Sequence, residues 1–267
     1  PPWAYGDVVA LFDSGGTCCF RGKIKAPATG ITVPRDIWRA TAEGPWALLE
    51  SLPYEQASTR VTLAAGVFTT TSVASTRVVL NYDASTATGK LVATQIGEVL
   101  TYAATKYAGS FALGLCSVVL TPPTEEAVDI SCAEAIRRTL RFAPDAVVWW
   151  DYAPAIPLLY VAPRSELTIH GLSRATDGRV ASVELQACPH LQVQGVRFLY
   201  EVAATDAAGN VRSSLTTDTY GDLVTDPARV AQHTFQLAYT LKATTPGAQT
   251  LEVMTLPIPT GLAAAYY

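Results

Sequence analysis

The sequence predicts an α+β protein that is mainly β, with two β-barrel-like blocks flanking a middle segment that contains the helices. Short segments rich in Val, Thr and aromatic residues recur at even spacing near both ends of the chain, which favours barrels or sandwiches over a parallel βαβ sheet. Both clear helical patterns fall between them. We therefore expect a first β-rich barrel block over residues 1–85, a mixed α/β segment over 86–165 and a second β-rich barrel block over 166–267.

The composition narrows the class of protein. The 267 residues are 49% hydrophobic and 16% charged, which supplies a sizeable core and argues against disorder. The longest apolar runs are far too short to cross a bilayer, so no membrane span is expected. A net charge of −4 does not suit a nucleic-acid clamp, which should be basic on one face. The chain begins with Pro1 rather than Met, so we expect a trimmed start.

Residues 129–164 organise the chain, because a helix, a stop and a strand pair follow one another there. Ser131 with Glu134 forms a capping box, and Pro144 forbids continuation of the helix. Residues 147–152 are β-branched and aromatic on both sides, which predicts a strand covered on both faces, and residues 158–161 predict the return strand. Basic residues crowd the last turn, where a solvated face would complement the helix dipole: Arg137, Arg138 and Arg141.

A second helix is predicted over residues 89–107, where apolar side chains recur with a period of 3.6. Thr88 is its predicted cap, and Gly109 lies just past its end as a C-cap glycine. Residues 111–120 predict a strand. The two prolines and two glutamates within residues 122–126 predict a linker into the Ser131 helix.

The first block begins with a hairpin, in which strands at residues 7–12 and 17–24 flank a turn from Asp13 to Gly16. The segment from Pro27 to Gly30 should break it. Residues 36–52 predict a strand, a turn and one helical turn around Trp46. Short strands rich in Thr and Val follow at 60–63, 66–71 and 77–82.

The second block consists of predicted strands joined by turns. Asp177-Gly178 and residues 206–210 are turn signals, and residues 221–229 predict a loop or a short helix. Pro246-Gly247 is a further turn, and the segment containing Pro257, Pro259 and Gly261 should end the ordered chain. The strands are expected at 166–174, 179–187, 191–203, 211–217, 234–242 and 251–256.

One serine motif invites a catalytic interpretation. Residues 12–16 (FDSGG) resemble the GDSGG of trypsin-like proteases, but that family needs its His upstream of the serine, and all three histidines here lie far downstream. A hairpin turn explains the motif better. The sequence contains no H-E-x-x-H, G-x-S-x-G, Walker loop or G-x-G-x-x-G.

The five cysteines give no metal or redox motif, since no C-x-x-C occurs. Cys188-Pro189-His190 offers two ligands, whereas a structural zinc site needs about four. Reduced, mostly buried thiols are the favoured interpretation. A disulfide that involves Cys116, Cys132 or Cys188 is the alternative.

A tryptophan-rich strand supports a second function. Asp145 and Asp151 flank it, and paired carboxylates beside aromatic residues occur in glycosidases. A turn and a loop cap are the simpler roles for these two residues. The aromatic residues favour a core position but could form a sugar-binding platform: Trp149, Trp150, Tyr152 and Tyr160. A carbohydrate-binding or glycoside-active β-protein is therefore the alternative function.

Residues 129–164 resemble a segment of the hub proteins at the tip of bacteriophage tails. Residues 11–24, with Phe20-Arg21-Gly22-Lys23-Ile24, are similar to a hairpin of these hubs, and residues 36–50 are similar to their strand followed by W-x-L-L. Together these segments cover a minority of the chain, and none is a catalytic signature.

The resemblance implies a structural virion protein, located in the tail tip after assembly in the host cytoplasm. In the hub family, two related β-barrel domains flank an α/β portion, and three copies form a ring of six barrels. Such a homotrimer would join the tail tube to the distal spike or fibre, contact the tube or distal tail protein and the tape measure, and line the channel for DNA without binding it specifically. It would not be an enzyme, and it implies no catalytic, cofactor-binding or metal residues and no cofactor.

Overall fold

The computed structural model describes residues 4–28, 39–64, 67–167, 193–205, 211–245, 248–255 and 257–267. Within these ranges the protein is α+β and mainly β, as predicted. Its strands form sheets of two or three strands, and none of the described sheets closes into a barrel. The predicted Asp177-Gly178 hairpin and the turns at 206–210 and 246–247 lie outside the described residues.

The first sheet is antiparallel in the order β1-β2-β3, and its hairpin is formed as predicted. Within the segment predicted to break the hairpin, Pro27 to Gly30, β2 continues through Pro27, which pairs with Ala40 of β3, and ends at Ala28, while residues 29–30 lie outside the described ranges. Opposite Pro27, β2 has no partner strand on its β1 side among the described strands, so the missing N–H of proline is tolerated. The bounds are β1 Val8–Phe12, β2 Cys18–Ala28 and β3 Arg39–Glu43.

Helix α1 and a long hairpin follow. Helix α1 (Pro45–Ser51) has proline in its first turn, where no N–H is needed, and is longer than the single turn predicted around Trp46. Strands β4 (Gln56–Ala64) and β5 (Val67–Ser75) pair only with each other among the described strands. Strand β6 (Arg77–Leu80) pairs with β10 (Glu125–Val128). The prediction of a linker without a strand over residues 122–126 is therefore wrong, because Glu125 and Glu126 begin β10.

Helix α2 (Val92–Lys106) begins three residues later than predicted. Thr88 is not its cap, because Thr88–Gly89 form the short strand β8, which pairs with β7 (Tyr82–Asp83). The cap position belongs to Leu91. Gly109 does adopt a left-handed conformation, with φ of +73°.

Helix α3 (Cys132–Leu140) confirms the predicted start, since the Ser131 hydroxyl accepts a hydrogen bond of 3.1 Å from the Glu134 N–H. The central sheet beside it has the order β11-β12-β9, antiparallel and then parallel. The predicted two-sided cover of β11 is wrong, because Val148 is 36% exposed on a face that opens to a groove. The bounds are β9 Ala112–Cys116, β11 Ala146–Asp151 and β12 Leu158–Pro163.

The last sheet has the order β14-β13-β15, with β13 and β15 parallel. The strand predicted over 234–242 is divided at Leu237, which is fully buried and donates its N–H to the Glu201 carbonyl at 2.9 Å. The chain stays ordered beyond the final prolines, contrary to prediction, because α4 buries Leu262 and Ala263. The bounds are β13 Gly195–Thr205, β14 Val211–Gly221, β15 Val230–Gln236, β16 Ala238–Thr245, β17 Ala248–Thr255 and α4 Leu262–Tyr266. Short 3-10 turns lie at Arg164–Glu166 and Pro227–Arg229.

Two clusters of buried side chains hold these elements together. The helical core packs α1, α2 and α3 against β6, β10 and the central sheet, and extends from Leu49 to Val161. The second cluster centres on Phe198 and Tyr200 and receives Phe142 from the end of α3. The helical core contains residues on both sides of residue 85, and the predicted domain boundaries stay a prediction. None of the described helices is both long and apolar enough to span a membrane.

Buried polar groups fix the centre of the helical core. Asn81 is fully buried with φ of +59°, a conformation that asparagine tolerates better than most residues. Its N–H donates to Gln95 Oε1 at 2.8 Å, its Nδ2 donates to the Pro123 carbonyl at 3.0 Å, and Thr139 Oγ1 donates to its Oδ1 at 3.2 Å. Because buried polar groups must be satisfied, this network ties α2, α3 and the β6 turn into one arrangement.

Candidate functional site

A cleft lies between the first sheet and helix α1. It encloses about 920 Å³. Its lining comes from strand β2, helix α1, the segment that follows α2 and the 155–157 turn. Gly22 lies where strands and helix converge: a Cβ there would be 2.4 Å from the Glu43 carbonyl oxygen. The close backbone approach therefore requires glycine at this position.

Basic side chains from alternate positions of β2 line this basic cleft, namely Arg21, Lys23 and Lys25. The two carboxylates in its lining already have partners, since Glu43 pairs with Lys25 and Glu50 pairs with Arg137. The hydrogen bond to Glu43 raises the pKa of Lys25, so this ammonium stays charged. The cleft thus carries a positive charge beyond its internal pairs, on a chain whose net charge is −4.

Arg21 and Lys23 supply that charge. Arg21 Nη1 donates to the Ala155 carbonyl at 2.8 Å, which holds the β11–β12 connection against β2. Its Nε is buried and has no hydrogen-bond partner within the described ranges. The Lys23 side chain is exposed. An anionic group entering the cleft would meet both side chains.

Strand β1, beside this cleft, presents an apolar edge. Among the described strands it pairs on one side only, with β2. Val8 is 67% exposed, Leu11 is 57% exposed and Phe12 is 62% exposed. No charged residue or proline interrupts β1. Soluble monomers commonly protect edge strands with such residues, so β1 is suited to contact with another chain.

The turn before β2 confirms the structural interpretation of the FDSGG motif. Asp13 Oδ1 accepts hydrogen bonds from the N–H groups of Gly15 and Thr17, at 2.9 and 2.8 Å. Gly16 has φ of +84°, which glycine adopts readily. The aspartate and glycines therefore build the hairpin.

A second groove, of about 600 Å³, lies between the C-terminal end of α3 and the inner face of β11. Trp46 and Trp150 are in its lining. The Arg137 guanidinium lies 5.3 Å from the centre of the Trp46 ring and also pairs with Glu50. The groove is therefore mainly apolar, and the two arginines in its lining, Arg137 and Arg141, both have carboxylate partners.

The three arginines of α3 do more than complement the helix dipole. Arg138 pairs with Glu125 at 2.8 Å and with Glu134 at 2.9 Å, and Arg141 pairs with Glu125 at 3.0 Å. The pairs to Glu125 attach α3 to β10. These arginine side chains are partly exposed, as the predicted solvated face requires, and they also form ion pairs that join two elements.

The aromatic residues of β11, β12 and the turn after β11 pack against neighbouring side chains. Trp149 and Tyr160 are cross-strand neighbours whose rings stack with centres 5.4 Å apart. The other side of the Tyr160 ring lies against Gly114, where an added Cβ would be 2.7 Å from a ring carbon. Trp150 packs inward against Phe111, and Tyr152 packs against Phe20. Both faces of Tyr160 are covered, so it offers no surface for a sugar ring.

The two aspartates flanking β11 are not arranged as a catalytic pair. Asp145 precedes the strand and Asp151 ends it, and the strand alone spans about 16 Å. Glycosidase carboxylates lie about 5 to 10 Å apart. Asp151 Oδ1 accepts from the Ala153 N–H at 2.9 Å, which confirms its predicted role as a loop cap.

The described cysteines are free thiols: Cys18, Cys19, Cys116 and Cys132. Burial raises the pKa of Cys132 to about 12, so its thiol stays protonated and unreactive near neutral pH. No group of three or more potential metal ligands occurs within the described residues. Cys188 and His190 lie outside them.

Sequence reasoning missed the basic cleft. The signal was present, since Arg21, Lys23 and Lys25 alternate along one predicted strand and alternate residues share a face. The contribution of α1 to the cleft could not be inferred from that pattern.

In comparisons with known proteins, no family model matches the chain and no curated protein matches it.

Proposed function

We propose that the chain is a structural virion protein, the hub of a phage tail tip or baseplate. In this proposal three copies form a ring with six barrel-like blocks that joins the tail tube to the distal spike or fibre and lines the DNA channel. The protein acts through surface shape and assembly and carries no enzymatic site.

The observation that carries the proposal is the open, apolar edge of the first sheet. A monomer that exposed Val8, Leu11 and Phe12 on an unprotected strand would be prone to aggregate. In a ring, the neighbouring subunit covers such an edge and satisfies its backbone groups. The β4–β5 hairpin supports the same conclusion, because two-stranded sheets are marginal in water without further packing.

Charge supports the channel part of the proposal. The net charge of −4 opposes adhesion of DNA to the protein as a whole. Six basic side chains belong to the ion-pair network of α3 or to the basic cleft: Arg137, Arg138, Arg141, Arg21, Lys23 and Lys25. They do not form the broad basic face that a nucleic-acid binding protein presents.

The first experiment measures native mass by mass spectrometry and light scattering at several concentrations, with negative-stain imaging. We expect three chains or a multiple of three, and a ring in projection. The double variant Leu11→Lys/Phe12→Lys should lower the assembled fraction, because charges on an edge strand block pairing. Val119→Lys, at a residue 88% exposed outside the described strands, is the matched control and should assemble normally.

A chain that stays monomeric both alone and when mixed with the tail tube and distal tail proteins of the same phage would contradict the hub proposal. Equal assembly of the edge variant and the wild type would contradict the role of β1.

A further inference from the structure

The second block carries a surface whose charge is opposite to that of the basic cleft. The last residue of β14 and the loop after it, residues 221–226, contain Asp222 and Asp226 and no basic residue; we call this segment the acidic loop. Asp222 Oδ1 accepts from the N–H groups of Val224 and Thr225, at 2.9 and 3.0 Å. The side-chain hydrogen bond from Thr225, together with these two backbone hydrogen bonds, lowers the pKa of Asp222 to about 2, so it is ionised at neutral pH.

Hydrogen bonds fix both ends of the acidic loop. The Asp222 N–H donates to the Gln194 carbonyl at 2.8 Å, and Asp226 caps the following 3-10 turn. Between these two anchors Val224 is 83% exposed. The loop therefore presents one apolar side chain flanked by two carboxylates in a defined conformation.

The basic cleft has complementary features, namely positive charge and exposed apolar side chains. Arg21 and Lys23 supply its positive charge, and Tyr5 and Val8 in its lining are 79% and 67% exposed. Its volume of about 920 Å³ is sufficient for several side chains of a loop. Apolar contact at the centre with opposite charges around it is the usual arrangement of a specific protein interface.

We propose that the acidic loop 221–226 of one subunit docks in the basic cleft of the next copy of this chain. The contact joins two different surfaces, so it is head-to-tail, and a head-to-tail contact closes into a ring when the rotation between subunits is suitable. This inference rests on the proposed function, because it names the contact that closes the hub ring.

The direct test is zero-length cross-linking with a carbodiimide, which joins a lysine amine to a carboxylate in contact with it. Unlabelled and ¹⁵N-labelled chains are assembled together and cross-linked peptides are identified by mass spectrometry. We expect Lys23 joined to Asp222 or Asp226, with light and heavy peptides in the same product. Absence of this product from assembled rings, or products that always pair like isotopes, would overturn the inference.

A charge-reversal cycle gives an independent readout. Lys23→Glu places a negative charge against the acidic loop, and Val224→Lys places a positive charge against the cleft. Each should raise the concentration at which half of the rings dissociate by about ten-fold or more, since like charges at an interface are unfavourable. The double variant restores an attractive pair and should return to within about three-fold of wild type.

Arg164→Glu makes the same charge change as Lys23→Glu at an exposed residue outside the cleft, and it should leave dissociation unchanged. Rings that form but are equally insensitive to Lys23→Glu and Val224→Lys would overturn this inference and leave the hub proposal standing. A chain that remains monomeric with its tail partners would overturn both.

Discussion

The helical core and the first sheet contain similar apolar residues, but they differ in how completely those residues are buried. Ile96, Val99 and Ile136 of the helical core are fully buried. In the first sheet, Leu11 and Phe12 are 57% and 62% exposed. The comparison indicates that the helical core maintains the fold of the single chain, whereas the first sheet leaves apolar side chains exposed.

We expect the largest change in unfolding free energy from a substitution in the helical core. Ile96→Ala removes a fully buried side chain from α2 and leaves a cavity, so it should cost about 2 to 5 kcal/mol of unfolding free energy. Urea denaturation followed by circular dichroism measures the change.

Leu11→Ala is the counterpart in the first sheet, and it should change the monomer's unfolding free energy by less than about 0.5 kcal/mol because the side chain is exposed. Equal costs for the two variants would refute the comparison, because β1 would then belong to the stable core of the single chain.

Two glycines, Gly114 in β9 and Gly97 in α2, test how tightly side chains pack on the two faces of the central sheet. Gly114→Ala forces a methyl group against the Tyr160 ring, at 2.7 Å from the nearest carbon, and should cost about 1 to 3 kcal/mol. Gly97→Ala lies within α2, and its methyl group would be 3.5 Å from Leu113 Cδ2, an ordinary contact. It should instead stabilise the protein by about 0.5 to 1 kcal/mol, because alanine favours a helix interior.

Thermal unfolding of both glycine variants measures these shifts in opposite directions. A neutral Gly114→Ala would mean that the Tyr160 ring can move away and that the aromatic stack is looser than the contact distances indicate. Near-ultraviolet circular dichroism of the Trp149–Tyr160 stack distinguishes movement of the ring from loss of the fold.

The predictions that succeeded depend on residues close together in sequence. The Ser131 cap and the Asp13 turn are local, so their hydrogen bonds could be inferred from spacing alone. The pairing of β6 with β10 was missed because its partners, such as Val79 and Glu126, lie far apart in sequence. Propensity says little about such pairings, which depend on the packed tertiary structure.

The same reason explains errors at Thr88 and at the end of the chain. Thr88 is a good local cap, but its pairing with Asp83 places it in a strand. The prolines before α4 signalled an end of order, but the second cluster buries Leu262 and the Asp218 carboxylate accepts from the Ala263 N–H. The basic cleft also joins distant segments, so its charged wall was visible in the sequence and its shape was not.

The most local effect that we predict concerns the start of α3. Ser131→Ala removes the hydroxyl that accepts from the Glu134 N–H, and should cost about 1 kcal/mol. Ser131→Asp is the matched control, because aspartate is an equally good cap and its charge suits a helix N-terminus. Hydrogen exchange should show faster exchange in the first turn of α3 for the alanine variant, with no change in β1. If β1 amides also exchanged faster, the first sheet would depend on the helical core more closely than its exposed side chains indicate.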